Sequence, residues 1–275
     1  MPARILPSQP MHTALAIAGS DPTGGAGLQL DLQVFRSLGV HGAGVVTALT
    51  VQDTSKVHEV LPAFPSVVLN QLRRLLEDFL PDAIKIGMLA SDDVLRSVAL
   101  GLEGVEVRGE ALPPIVIDPV LVASDGQPLL ERRAWGSLQS LIARSTLVTP
   151  NLAEAEALTG IDASEDAGAE AAAGFFLEQL GAGAVLLKGG HRQGSPDDLL
   201  ARTGPSGTTL EWLRGDRIDA GPVHGTGCAL SSAIAAGLAR GAELADAVAR
   251  GREFVAAALR RAEKVGHGAG LLVFP

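Results

Sequence analysis

The chain has 275 residues, of which 47% are hydrophobic and 3% aromatic, and its formal net charge is −9. This length suits one large α/β domain with a sizeable core. The acidic balance argues against a nucleic-acid or membrane-surface partner, because either would favour a basic patch. The single cysteine excludes an internal disulfide and predicts a reducing, cytoplasmic setting. No stretch approaches the roughly 20 apolar residues of a membrane span.

Short apolar runs alternate with segments of helical periodicity along the chain. The predicted elements, in chain order, are strand 14–19, helix 28–39, strand 42–50, helix 66–80, strand 83–88, helix 91–102, strand 114–120, helix 131–145, strand 146–151, helices 152–160 and 164–181, strand 184–190, a hairpin within 191–222 and two helices between 228 and 262. Ser66 and Ser91 stand at the starts of their helices and are predicted N-caps.

The alternation of strands and helices predicts a mostly parallel central sheet with helices on both faces. Residues 1–13 are interpreted as an N-terminal extension. Residues 14–275 are interpreted as a single domain, because they contain no long linker, repeat or low-complexity tract. Ligands of such sheets bind at the carboxyl ends of the strands. The glycine-rich and polar loops of this chain all follow predicted strands, so we expect the site there.

GSDPTGGAG, residues 19–27, is a glycine-rich turn between a strand and a helix. Its glycines would let backbone N–H groups approach a ligand, and the helix adds a positive N-terminal end. It matches neither a Walker A loop nor the GxGxxG fingerprint, and a purely structural turn is the alternative. Asp31, four residues further on, is either a solvated helix-surface acid or a functional group.

Asn151 and Glu154 open a helix in VTPNLAEAEAL. Their spacing suits a capping box, which is the favoured interpretation. The alternative is that an amide and a carboxylate on one helix face hold a hydrated Mg²⁺ beside phosphates. Asp118 ends the strand IVID. It has a functional role, beyond ending the strand, only if a cation or polar ligand is near. Lys188, in KGGH, could face an anion, but this pattern is weak alone.

HGTGC, residues 224–228, contains the only cysteine. Gly225 and Gly227 would let successive N–H groups point at one anion, and a helix starting near Cys228 would add its partial charge. Such a site suits a transferring phosphoryl group. The same helix end is expected to lower the pKa of the thiol. The alternative is a small buried cysteine that closes a tight strand–helix turn.

Taken together and in this order, these stretches resemble the hydroxymethylpyrimidine/phosphomethylpyrimidine kinases of the ribokinase-like superfamily. The stretches are IAGSDPTGGAGLQLDL, VVTALTVQDT, IKIGML, VIDPVLVASDGQPLL, VTPNLAEAEALTG, VLLKGGH and HGTGCALSSAIAAGLARG, and they extend from about residue 14 to 260. The resemblance implies a ribokinase-like three-layer fold. It also implies ATP- and Mg²⁺-dependent phosphorylation of hydroxymethylpyrimidine, and then of its monophosphate, for thiamin synthesis.

The resemblance also implies roles for individual residues. Asp31 matches an acid that hydrogen-bonds the aminopyrimidine, and Gln52 matches a glutamine that reads the ring edge. The residues expected to line the ring pocket are Gly19, Ala26, Met88 and Val120. Those expected at the Mg²⁺ site are Asp118, Asn151 and Glu154, and those expected on the nucleotide side are Lys188, Gly190 and Asn151. The expected catalytic anion hole consists of Gly225, Thr226, Gly227 and Cys228, with Cys228 in the place of an aspartate base.

The implied partners are an aminopyrimidine, its monophosphate and a second copy of the chain as a homodimer. A pyridoxal kinase or dual-substrate enzyme is the alternative, and Gln52 argues against it because pyridoxal-accepting relatives often have Met there. A non-catalytic ligand sensor and a nucleotide-binding dehydrogenase fit less well, since the expected catalytic residues are present and the dehydrogenase fingerprint is not. Asp53 stands where the family more commonly has Asn, and the added negative charge near the pocket leaves the choice between closely related substrates open.

Overall fold

A computed structural model describes residues 11–123, 125–190, 192, 195–204 and 207–274. Most of the interpreted N-terminal extension, residues 1–13, therefore lies outside the described residues. Within the described ranges, no helix combines the length and the apolar character that crossing a membrane would need.

The described strands form one nine-stranded sheet in the order β3-β2-β1-β4-β5-β6-β7-β8-β9. The run from β2 to β7 is parallel, whereas β3, β8 and β9 pair antiparallel with their neighbours. The strands are β1 (Thr13–Ser20), β2 (His41–Gln52), β3 (Val57–Pro62), β4 (Ala83–Ile86), β5 (Ile115–Ile117), β6 (Leu147–Val148), β7 (Ala184–Leu187), β8 (Asp198–Gly204) and β9 (Gly207–Leu213).

Helices cover both faces of this sheet, so the predicted three-layer α/β architecture is confirmed. They are α1 (Gly27–Ser37), α2 (Pro65–Asp78), α3 (Asp92–Val107), α4 (Trp135–Ile142), α5 (Leu152–Thr159), α6 (Asp166–Glu178), α7 (Thr226–Ala239) and α8 (Leu244–Leu259). One core lies between the sheet and α2 to α6, and a second lies between the sheet and α1, α7 and α8.

The alternation of side chains along β1 explains why the two layers differ. Leu15 and Ile17 face the first core, whereas Ala14, Ala16 and Ala18 face the second. Small side chains on that face allow α7 to approach the sheet closely. The sequence of α7, TGCALSSAIAAGLA, is itself rich in alanine, and most of its residues are buried. The N-terminus of α7 is thereby held near the carboxyl ends of the parallel strands.

Two local predictions were wrong. The antiparallel strand β3 was not predicted, because its segment VHEVLP packs mainly on one side and most of its residues stay exposed or half-buried. Ser66 is not an N-cap, because α2 begins one residue earlier with Pro65 at its first position and Phe64 as the cap residue. Proline is well suited to that position, since the first N–H groups of a helix have no intrahelical partner. Ser91, in contrast, accepts a hydrogen bond from the N–H of Val94 and caps α3 as predicted.

The two serines give a matched test of these caps. Ser91→Ala removes the acceptor for a buried N–H of α3 and should lower the free energy of unfolding by about 1 kcal/mol. Ser66→Ala changes an exposed side chain and should leave it within about 0.5 kcal/mol of wild type. Urea unfolding followed by circular dichroism measures both values. Equal losses for the two variants would contradict the assigned caps.

Candidate active site

The loops at the carboxyl ends of the parallel strands surround one cavity of about 300 Å³, called the pocket below. All the predicted site residues except Asp31 lie in its wall, which is the placement expected for an open parallel sheet. These wall residues are Gly19, Ala26, Gln52, Met88, Asp118, Val120, Asn151, Glu154, Lys188, Gly190, Gly225, Thr226, Gly227 and Cys228.

One end of the pocket is mainly apolar. Met88 packs so closely on Gly19 that a Cβ added to Gly19 would lie 2.9 Å from the Met88 sulfur. Val120 packs against the same small cluster. Gln52, the last residue of β2, contributes an amide, and the Thr50 hydroxyl donates to its Oε1 at 3.3 Å. This end therefore offers apolar walls and one group that can both donate and accept hydrogen bonds.

The other end of the pocket is charged. Lys188 Nζ donates to Asp118 Oδ1 at 2.8 Å and lies 4.0 Å from Glu154 Oε2. Burial raises the pKa of Glu154 to about 7, with a further rise from Asp118 that Lys188 opposes. Burial by itself would lower the pKa of Lys188, but Asp118 and Glu154 outweigh it and raise that pKa. Two buried carboxylates thus share one ammonium group.

The predicted capping box is present at the start of α5. The N–H of Glu154 donates to Asn151 Oδ1 at 2.9 Å, and the N–H of Asn151 donates to Glu154 Oε2 at 2.8 Å. The box fixes both side chains at the edge of the pocket. The capping bonds use the single side-chain oxygen of Asn151 and only one of the two oxygens of Glu154. The cap interpretation is therefore compatible with a metal role for Glu154, whereas Asn151 keeps only one lone pair of its oxygen for such a role.

No group of three or more His, Cys, Asp or Glu residues in the described ranges is arranged to hold a metal ion. Asp118 and Glu154 are a smaller set, and Mg²⁺ is commonly held by one or two carboxylates together with water and substrate phosphates. Burial, and to a smaller extent Asp118, raise the pKa of Glu154 despite Lys188, so a further cation beside these carboxylates would favour their charged forms. This donor set fits a largely hydrated Mg²⁺.

The segment 224–228 passes close to the glycine-rich turn that follows β1. Gly225 has a φ of 74°, and a Cβ added there would collide with the carbonyl oxygen of Gly25. A Cβ on Gly227 would lie 2.9 Å from Lys188 Nζ. Because α7 begins at Thr226, the N–H groups of its first turn have no partner within the helix. Such N–H groups, in the wall of the pocket, have the geometry that the predicted anion hole requires.

Hydrogen bonds of the C-terminal residues 269–270 connect the segment 224–228 to the loop that follows Gln52. The N–H of Ala269 donates to the Thr54 carbonyl at 2.7 Å, and the His224 ring lies 2.8 Å from the same oxygen. The N–H of His224 donates to the Gly270 carbonyl at 3.0 Å. Sequence reasoning did not assign Thr54 or His224, because these pairings join residues far apart in the chain.

The environment of Cys228 differs from the expectation. Burial raises the pKa of its thiol to about 11, and the carboxylates of Asp118 and Asp31 add to the rise while Lys85 opposes it. The predicted lowering by the helix end is therefore wrong in direction. The loss of hydration and the two carboxylates together raise the pKa more than Lys85 and a hydrogen bond from the N–H of Gly27 lower it.

The expected contact between Asp31 and an aminopyrimidine is also corrected. Asp31 is fully buried, and its two carboxylate oxygens lie 2.8 and 2.7 Å from Lys85 Nζ. The Ser232 hydroxyl donates to Oδ1 at 2.7 Å. Since the side chain lies beneath the pocket and these bonds already engage it, it cannot read a ring in the pocket. Lys85 was missed, although a lysine within the apolar strand AIKI signals a buried charge.

Comparisons with known proteins identify the family of the chain. A family model described as phosphomethylpyrimidine kinase matches residues 21–273. The chain belongs to this family. It is 40% identical over 259 residues to the hydroxymethylpyrimidine/phosphomethylpyrimidine kinase of Rhizobium meliloti, covering 94% of each chain. It is also 40% identical over 262 residues to that of Escherichia coli, covering 94% of this chain and 95% of the relative.

Solved structures place the chain in the same group of folds. An ADP complex of Bacillus subtilis pyridoxal kinase superposes with a TM-score of 0.84 at 31% identity, covering 96% of this chain and 97% of that one. A phosphomethylpyrimidine kinase from Clostridium difficile superposes with a TM-score of 0.78 at 32% identity, covering 90% and 99%. The protein is therefore a kinase with a ribokinase-like fold.

The raised pKa of the thiol can be tested by alkylation. Only the thiolate reacts with iodoacetamide, so the rate at Cys228 should rise about tenfold per pH unit from pH 7 to about pH 10. Mass spectrometry measures the modified fraction, and the Cys228→Ser variant gives the background. A plateau below about pH 8 would show a lowered pKa and contradict the assignment.

Proposed function

We propose that this kinase transfers the γ-phosphoryl group of ATP to 4-amino-5-hydroxymethyl-2-methylpyrimidine (HMP), and then phosphorylates the monophosphate to the diphosphate for thiamin biosynthesis. We place the reaction in the cytoplasm, where ATP is available. The observation that carries the proposal is the meeting of Gln52, Met88 and Val120 with the first turn of α7 in one pocket. The family and the named relatives support the same substrate.

The apolar end of the pocket suits a small aromatic ring. Met88 and Val120 provide polarisable and branched apolar surface for its faces. The amide of Gln52 offers a donor and an acceptor to the ring edge, which matches the amino group and ring nitrogen of an aminopyrimidine. A cavity of about 300 Å³ is small for such sites, so a compact substrate is favoured.

The charged end suits phosphoryl transfer. The N–H groups at the start of α7 would bind the oxygens of the transferred group, and Lys188 would neutralise part of its charge. Asp118 and Glu154 would hold Mg²⁺ largely through water, and at that position it would supply neutralisation of phosphate charge. The hydroxyl of the substrate's C5 hydroxymethyl group would then lie between Gln52 and the anion-binding loop. Positioning and charge neutralisation supply most of the rate in such reactions.

The role of Cys228 follows from the pKa of its thiol. With a pKa of about 11, the sulfur carries its proton at neutral pH. It therefore completes the anion-binding loop as an S–H group before the transfer. A loose phosphoryl-transfer transition state needs little base assistance at the attacking oxygen. In the second transfer the attacking group is already a phosphate oxygen, so no alkoxide has to form.

Pyridoxal phosphorylation is the second candidate function. It is favoured by the superposition on the Bacillus subtilis pyridoxal kinase, whose TM-score of 0.84 exceeds the 0.78 of the phosphomethylpyrimidine kinase structure. Gln52 opposes it, because an amide reads the edge of an aminopyrimidine better than that of a pyridine carrying a phenolic oxygen. We therefore propose HMP as the better substrate.

A coupled assay of ADP release tests this choice with HMP, its monophosphate and pyridoxal side by side. Wild type should show a kcat/KM for HMP at least about tenfold above that for pyridoxal, because a buried amide left without its partners is costly. Gln52→Met should shift this ratio about tenfold towards pyridoxal. The exposed Gln71→Met on α2 is the matched control and should leave the ratio unchanged. Equal turnover of pyridoxal and HMP by wild type would refute the substrate proposal.

We also propose that the protein is a homodimer formed through the outer face of β2 and β3. Leu49 and Leu61 pair across these two strands and are 55% and 46% exposed. Val51, two residues along the same face, is 48% exposed. The opposite face of the two strands packs towards the pocket through Ala48 and Val57. An exposed apolar face beside an edge strand suits an isologous contact with a second copy.

Sedimentation velocity at micromolar concentration measures the oligomeric state. Wild type should sediment as a dimer, and Leu61→Glu should sediment as a monomer, because it buries a charge in the apolar contact. Leu100→Glu on α3, which changes a residue exposed to 47%, should remain dimeric. A monomeric wild type would contradict the proposed interface.

A further inference from the structure

Asp31, Lys85 and Ser232 form a buried network that the reaction described above does not use. They come from three elements, α1, β4 and α7. The side chains of Lys85 and Asp31 are both 0% exposed, and their charged atoms lie 2.7 Å apart. The Ser232 hydroxyl completes the network with its bond to Asp31 Oδ1.

Fold stability alone gives little reason to bury this pair. Two charges lose their hydration on burial, and a buried ion pair is often no more stabilising than apolar side chains of similar volume. The alternation along β4 turns Ile84 and Ile86 into one core and Lys85 towards the α1 and α7 layer. An apolar residue at position 85 would suit that layer, so the retained charge points to a task other than stability.

The network lies directly behind the phosphoryl-transfer end of the pocket. Ser232 follows Cys228 by four residues on α7, so both side chains point to the same face of the helix. A Cβ added to Gly87 would lie 2.8 Å from Lys85 Nζ, which places the ammonium beside the residue that precedes Met88. The pair thus connects the first turns of α7 to the strand that carries part of the pocket wall.

Lys85 stays positively charged in this buried layer. Burial alone would lower the pKa of Lys85, but Asp31, Cys228 and Asp118 outweigh it and keep the ammonium charged. Lys85 also affects the thiol of Cys228 more strongly than Asp31 does. A fixed positive charge therefore lies behind the N–H groups at the start of α7.

We propose that Asp31, Lys85 and Ser232 are positioning residues for phosphoryl transfer, which hold the first turns of α7 against β4 and keep a fixed positive charge beneath the transferred group. This inference rests on the proposed kinase reaction. A preorganised charge of this kind acts in the transition state, where negative charge develops, more than in substrate binding. The network should thus affect kcat and leave pyrimidine affinity unchanged.

Two variants test the proposal. Ser232→Ala removes one hydrogen bond, and the double variant Asp31→Asn, Lys85→Met removes both charges while keeping an acceptor for Ser232. The double variant avoids a single buried charge without its partner, which would threaten folding. We expect kcat for HMP to fall about tenfold in Ser232→Ala and about a hundredfold in the double variant. The KM for HMP and its dissociation constant, measured by calorimetry without nucleotide, should stay within about twofold of wild type.

Ser97→Ala is the matched control for a lost buried hydroxyl, because Ser97 Oγ donates only to Asp93 O of its own helix among the described bonds. It should leave kcat and KM unchanged. Unchanged kcat in the two network variants, with wild type active on HMP, would overturn the proposal. A weaker affinity for HMP with an unchanged kcat would also overturn it, because Asp31 would then act on the substrate.

Alkylation of Cys228 at one fixed pH gives a readout that needs no turnover. The rate should fall at least about threefold in the double variant, because Lys85 lowers the pKa of the thiol more than Asp31 raises it, and both charges are gone. An unchanged rate would overturn the proposed charge. Absence of HMP turnover in wild type would contradict the proposed function. The alkylation rates of wild type and the double variant would still show whether the network lowers the pKa of the Cys228 thiol.

Discussion

The close approach of the α7 N-terminus to the carboxyl ends of the parallel strands is the constraint on which the site depends. The alanines on one face of β1 and along α7 leave room for the helix to lie near the sheet. At the helix start, Gly225 meets the carbonyl oxygen of Gly25, and no Cβ would fit between them. Larger residues at these positions would move the helix away from the sheet. Its unpaired N–H groups would then no longer face Lys188 and Asp118 across one cavity.

The same close packing determines how the charged groups of the site interact, because it removes water from between them. Asp118, Glu154 and Lys188 lie close together where little water remains, and Asp118 raises the pKa values of both Glu154 and Lys188. Beneath them, Lys85 and Asp31 form a second pair between the sheet and α7. Carboxylates and ammonium groups therefore alternate from the buried layer to the pocket. An incoming phosphoryl group would meet fixed positive charge and oriented N–H groups, and water would not have to reorganise around it.

Most of the fold follows from local patterns. The continuous apolar strands IVI and VLL, the glycine-rich turn at 19–27 and the cap at Ser91 are all encoded within a few residues, and the structure contains each of them. The capping box of Asn151 and Glu154 is equally local. Strand β3 was missed because its stability comes from pairing with β2 and from the contacts of one face only. The cap at Ser66 was misplaced because Pro65 could start the helix one residue earlier.

The sequence by itself predicted which residues line the pocket, with the exception of Asp31, because their order along the chain and their positions after strands are local properties. The tertiary structure decided what two of them do. Asp31 is on the buried side of α1, where Lys85 from a distant strand engages it, and the sequence spacing of 54 residues does not show this contact. Likewise, the pKa of the Cys228 thiol depends on how much water the surrounding elements exclude. Burial and long-range charge pairing arise only when the layers pack, so they outweigh what the local helix end would predict.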